Sequence, residues 1–105
     1  PGSARQVMTQ VSPGADGVLR VQGDVTLTSV ASLLPAGRQR AREAAFIVDL
    51  AAVGTVDSAA LALLFDWLRH ARAQNHTMGV RNVPPQLHSL AALYGVGELL
   101  EEMAA

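Results

Sequence analysis

The stretch that most restricts what this chain can fold into runs from Phe46 to Gln74, FIVDLAAVGTVDSAALALLFDWLRHARAQ. Phe46 to Asp49 predicts a short buried strand, an apolar run closed by a charge. Leu50 to Val56 then reads as a loop. At Asp57-Ser58 the longest apolar-periodic segment of the chain begins, and it predicts one long helix. At 100° per residue, Ala60, Leu61, Leu63, Leu64, Trp67, Leu68 and Ala71 share one broad arc. That arc is wide enough to be a core face, and it leaves Asp66, Arg69 and Arg72 opposite, facing solvent.

Elements on either side can be placed relative to this segment. Residues Arg5 to Val11 alternate, Pro13 to Gly17 supply turn chemistry, and Val18 to Gln22 resume strand character. Two strands around a Pro/Gly turn predict a hairpin. Thr26 to Gly37 predicts a helix capped by Thr28 or Ser29, with Val30, Leu33 and Leu34 as its buried stripe. Pro35 should kink it or end it early, because proline removes a backbone hydrogen bond and crowds the preceding turn. Arg38 to Glu43 then reads as a solvated connector. After the long helix, Asn75-His76 marks a stop and Thr77 to Val83 a strand. Pro84-Pro85 opens another helix, with Leu87, Leu90 and Tyr94 on one stripe and Gly95 as a left-handed cap. Glu98 to Met103 gives a short acidic terminal helix. Strand–helix–strand crossovers imply parallel pairing. The expected fold is therefore α/β: a small four-stranded mixed sheet, an N-terminal hairpin plus parallel strands, with helices packed mainly on one face.

Candidate functional residues cluster where the long helix begins. Ser58 is a good N-cap residue, and Asp57 complements the positive end of the helix dipole. The same end could hold a phosphate on the Ser58 hydroxyl against free backbone N–H groups. By helical geometry Ser58, Ala62, Phe65 and Arg69 form one row, bordered by Ala59, that departs from the core arc. A hydroxyl, small residues, an aromatic ring and a cation make a strip suited to docking a protein. Alternatively, Phe65 tucks under the loop after Gly54 or under the C-terminal tail.

Other classes of function find little support. A serine nucleophile needs a base within hydrogen-bond reach, and His70 lies about 18 Å along the helix from Ser58. No Gly-x-Ser-x-Gly elbow is present. His70, His76 and His88 are spaced by 6 and 12 residues, which does not suit helical metal chelation, and without cysteine no thiolate site exists. No metal, cofactor or catalysis is expected. A formal charge of −1, with eight arginines and no lysine among 105 residues, gives no general nucleic-acid surface. No apolar run reaches the roughly 20 residues that span a bilayer. Residues 1–4, opening Pro-Gly-Ser, are expected to be a cloning remnant, and 5–105 one cytoplasmic domain.

VDLAAVGTVDSAALALL is similar to the signature of STAS domains, the fold of bacterial anti-sigma factor antagonists and sulphate-transporter tails. In that signature a strand ending in Asp, here Asp49-Leu50, is followed by a loop and an Asp-Ser-x-Gly-Leu helix start, here Asp57-Ser58-Ala59-Ala60-Leu61. GDVTLTSVASLL, LALLFDWLRHAR and RNVPPQLHSLAALYGVGELL most resemble the lipid-asymmetry branch, MlaB-like proteins that accompany an ABC-transporter ATPase. That resemblance implies a non-catalytic accessory subunit with Asp57, Ser58, Ala59, Ala62, Phe65 and Arg69 at the contact. The subunit would be peripheral to the inner membrane, reaching it only through the transporter, and able to form a homodimer. The alternative it implies is an anti-sigma factor antagonist phosphorylated at Ser58 by a serine-kinase partner. Ala60 replaces the usual motif Gly, which weakens the kinase-substrate reading more than the docking reading.

Overall fold

The computed structural model describes residues 10–13 and 16–105. Residues Arg5 to Thr9 of the predicted strand, Gly14 and Ala15 of the predicted turn, and the remnant expected at 1–4 lie outside them. The elements are β1 (Gln10–Pro13), β2 (Val18–Val25), α1 (Val30–Glu43), β3 (Phe46–Val56), α2 (Ser58–Ala73), β4 (Met78–Arg81), α3 (Pro85–Leu93) and α4 (Gly97–Glu102). The four strands form one sheet in the order β1-β2-β3-β4. β1 runs antiparallel to β2, and β2–β3 and β3–β4 are parallel. The mixed sheet and the order of elements are those read from the sequence.

Period-two side-chain alternation sorts the sheet into two faces. Leu19 and Val21 of β2, Phe46, Val48 and Leu50 of β3, and Met78 and Val80 of β4 are buried and join one core with the apolar arc of α2. All seven residues predicted for that arc are buried. On the opposite face Arg20 pairs in register with Asp49, and Asp49 with Arg81. The helices thus cover one face and leave a polar row on the other. Past α4, Val80 N–H donates to the Met103 carbonyl and Ala105 N–H to the Val80 carbonyl, adding a single parallel bridge beside β4.

Four local expectations are corrected. The segment Leu50 to Val56 is not a loop: β3 continues through it for 11 residues. Two register shifts against β2 let it do so, Arg20↔Asp49 giving way to Gln22↔Ala52, and Gly23↔Val53 to Val25↔Val56. Each leaves one extra residue on β3, the signature of a bulge. At the first, the Asp49 carboxylate accepts from Ala51 N–H at 2.9 Å. Asp49 therefore sits inside the strand and not at its end.

α1 neither stops at Pro35 nor yields to a connector at Arg38. It runs 14 residues to Glu43, because Gly37 and Ala41 continue its buried face and Trp67 packs directly on Gly37. Its cap also differs. Ser29 holds the N-cap position, but its hydroxyl makes no capping bond; it accepts from Thr26 N–H and donates to the Asp24 carbonyl. The other termini follow the sequence: Asn75 and Gly95 adopt left-handed φ of 58° and 73° just past α2 and α3. Tyr94, expected on the packing stripe of α3, is exposed instead.

Candidate functional site

The start of α2 is fixed by Asp57 and not by Ser58. Asp57 has extended backbone geometry and is the N-cap. One carboxylate oxygen accepts from Ala59 N–H at 2.8 Å, and the other accepts from Leu27 N–H at 3.0 Å. The cap therefore ties α2 to the β2–α1 turn as well. Ser58, predicted as a capping residue, becomes the first helical residue, because an aspartate in the cap position reaches the second free N–H of the helix. Its hydroxyl is exposed and makes no hydrogen bond among the described residues.

The row predicted along α2 is only partly a surface. Ser58, Ala62 and Arg69 are exposed, Ala59 is half-buried, and Phe65 is half-buried against the core. Phe65 shares a shallow groove of about 200 Å3 with Ser58, Leu61, Tyr94 and Val96. It therefore sits beside the α3–α4 junction, not under the loop after Gly54. A second groove, of about 460 Å3, runs between α1 and α2. Leu27, Val30 and Leu34 form one wall, Ala59 and Ala62 the other, with Asp57 and Ser58 at one end and Asp66 also lining it. Ser58 lines both grooves.

Sequence reasoning missed the outer walls. Leu27, Leu93 and Tyr94 are the exposed large apolar side chains among the described residues, and two of them line these grooves. A leucine inside the turn sequence Thr26-Leu27-Thr28-Ser29, and Leu93-Tyr94 just before the helix-ending Gly95, were the available signals. Leu27 belongs to no helical or strand period, so periodicity passes over it, and periodicity assigns Tyr94 to the packing stripe of α3 instead of to the surface.

Asp66 also departs from expectation. Helical spacing puts it among the solvent-facing residues, yet it is buried because α1 packs close enough for Arg38 to cover it. Arg38 donates through Nε and Nη2, both at 2.9 Å, and Arg69 through Nη2 at 3.0 Å. The Arg38 hydrogen bonds hold the Asp66 carboxyl below its ordinary pKa, against the opposing effect of burial. A bidentate guanidinium pair of this kind fixes orientation as well as charge. His70 Nδ1 and His76 Nδ1 each hydrogen-bond a backbone carbonyl, those of Asp66 and Ala41. The geometry at Ser58 thus presents a hydroxyl between two apolar grooves, with Asp66 and its two guanidinium partners farther along one of them.

The profile of the family described as "Mlab, STAS domain" matches residues 8–101. No curated protein matches significantly. Among solved structures, the anti-sigma factor antagonist SpoIIAA in its unphosphorylated form is similar with a TM-score of 0.63 and 12% identity, over 81% of this chain and 82% of that one. A Thermotoga maritima protein described as an anti-sigma factor antagonist gives 0.54 and 12%, over 90% and 93%. At such identities these two matches speak for the fold alone. The family profile covers nearly the whole length, and the chain belongs to the MlaB-type STAS domain family.

Proposed function

We propose that this chain is a non-catalytic accessory subunit that docks on the ATPase of a phospholipid-trafficking ABC transporter and stabilises or regulates it. The observation that carries the docking surface is the pair of apolar grooves meeting at Ser58, walled by exposed Leu27 and Tyr94. Exposed apolar side chains at the rims of these grooves suit contact with another protein. The choice of an ATPase partner rests on the resemblance to MlaB-like proteins, which the family match supports. The contact would involve Asp57, Ser58, Ala59, Ala62, Phe65 and Arg69, with Leu27 and Tyr94 added. No helix of the described residues is long and apolar enough to cross a membrane, so the subunit would meet the cytoplasmic side of the inner membrane through its complex.

Co-purification with the ATPase encoded beside it is the direct test. Ser58→Glu and Ala62→Arg place charge and bulk on exposed positions, so each should abolish co-purification and leave the melting temperature unchanged. Retained binding in both variants would sink the proposed surface. Phe65 is less suitable as a first target, because its ring also packs on the core.

One observation favours a second reading, an anti-sigma factor antagonist switched by phosphorylation. The Ser58 hydroxyl is exposed on the first residue of a 16-residue helix, where a phosphate would face the positive end of the helix dipole. Incubation with a serine-kinase anti-sigma factor and ATP should then add one phosphate, absent in Ser58→Ala. An unchanged intact mass would count against it. Neighbouring permease and lipid-binding genes would favour the first reading, and a serine-kinase gene the second.

A further inference from the structure

We propose that the segment seated in the α1–α2 groove is an amphipathic helix of the partner protein carrying an acidic side chain, received by Arg69 and Arg38. This deepens the docking reading above and rests on it. The groove is chemically polarised. Leu27, Val30 and Leu34 make one wall apolar, and Asp66 lies in its lining. At the other end the Asp57 carboxylate accepts from the backbone N–H groups of Ala59 and Leu27 and keeps its negative charge, so the two ends differ in sign. At the Asp66 end two guanidinium groups share one carboxylate, which leaves a net positive charge.

Those guanidinium groups are also held in place. Asp66 is buried, so its fixed oxygens orient Arg38 through two hydrogen bonds and Arg69 through one. Each guanidinium has five N–H donors, and most remain available, since the Arg69 side chain is 73% and the Arg38 side chain 39% exposed. A pre-oriented guanidinium loses little entropy on meeting a carboxylate, whose geometry it matches. His70 Nδ1, 3.6 Å from an Asp66 oxygen, adds no negative charge to the cluster.

The spacing sets the partner's pattern. Ser58 and Asp66 are eight residues apart on α2, about 12 Å along its axis. A helix lying along the groove would present an apolar side chain near Ser58 and Asp or Glu about two turns away, at i+7 or i+8. An anionic lipid headgroup would match the cations but would leave the apolar wall of Leu27, Val30 and Leu34 uncovered.

The test measures affinity of the full chain for the ATPase subunit at low and high salt. Arg69→Glu should weaken binding at least tenfold at low salt and flatten the salt dependence that wild type shows. Arg69→Lys should recover most of the loss, and replacing the matching partner carboxylate with Arg should restore affinity to Arg69→Glu. Wild-type affinity in Arg69→Glu, with Ser58→Glu still unable to bind, would overturn the acidic partner and leave the docking surface standing. No wild-type binding, or binding unaffected by both Ser58→Glu and Ala62→Arg, would remove the docking surface and this inference with it. Arg69-dependent sedimentation with phosphatidylglycerol vesicles but not phosphatidylcholine vesicles, with ATPase affinity unaffected, would reassign the cations to lipid.

Discussion

The residue on which the site depends is Asp57, and its two bonds separate in mutants. Asp57→Ala removes the cap of α2 and the tie to Leu27, and should destabilise the fold by about 1–2 kcal/mol. Asp57→Ser keeps a hydroxyl able to accept from Ala59 N–H but is too short to serve Leu27 as well. It should recover most of the stability in urea unfolding while still lowering affinity for the partner, because the Leu27 wall is no longer anchored. Equal stability of the Ala and Ser variants would show that the cap contributes nothing. The sequence displayed this pair without ordering it. Aspartate and serine are both good caps, and which one caps depends on where β3 ends. That end was hidden because Ala51, Ala52, Gly54 and Thr55 carry too little apolar character to mark a strand, and two bulges break their alternation.

At the scale of elements, α2 and the first half of α1 were legible and the second half of α1 was not, for one reason. The buried face of α2 is written in leucines and Trp67 at helical spacing, which periodicity detects. The second half of α1 buries Gly37 and Ala41 between arginines, and small residues on a close-packed face leave no such signal. A Cβ on Gly37 would collide with the Trp67 ring, and the indole N–H donates to the Leu34 carbonyl at 3.0 Å. The two helices therefore meet at a glycine against an indole face, and this close approach brings Arg38 over Asp66. Gly37→Ala improves helix propensity by about 1 kcal/mol yet should lower stability by about 1–3 kcal/mol through overpacking. Trp67→Phe in the same chain should relieve part of that loss, so the double variant should be more stable than the sum of the singles predicts. A Gly37→Ala protein as stable as wild type, measured by thermal unfolding, would mean that α1 can move away from α2 at little cost.

For the whole molecule, two carboxylates should set the response to acid, Asp49 joining β3 to the β4 end within the sheet and Asp66 joining α1 to α2 within the helix layer. Asp49 lies on the uncovered sheet face, where Asn82 Nδ2 donates to it at 3.0 Å, Ala51 N–H at 2.9 Å and Arg81 Nε at 3.1 Å. These bonds, Asn82 foremost, hold its pKa below the ordinary value although burial opposes them. Asp66 is held low by Arg38 on the helix side. A carboxyl with a lowered folded pKa binds fewer protons folded than unfolded, so its stabilisation is complete above the ordinary value near 3.9 and is lost as pH falls through the lowered one. The melting temperature should therefore be nearly constant between about pH 7 and 5 and fall below about pH 4. Asp49→Asn and Asp66→Asn should each lower the neutral plateau and make the acid decline shallower. The two groups share no bonding partner and lie on opposite sides of the core, so their effects should add to within about 0.5 kcal/mol. Asp16, exposed and paired with Arg20, should contribute little, as surface ion pairs do. If the double variant kept the wild-type acid slope, the protons responsible would belong to other groups, and neither carboxylate would be a source of acid sensitivity.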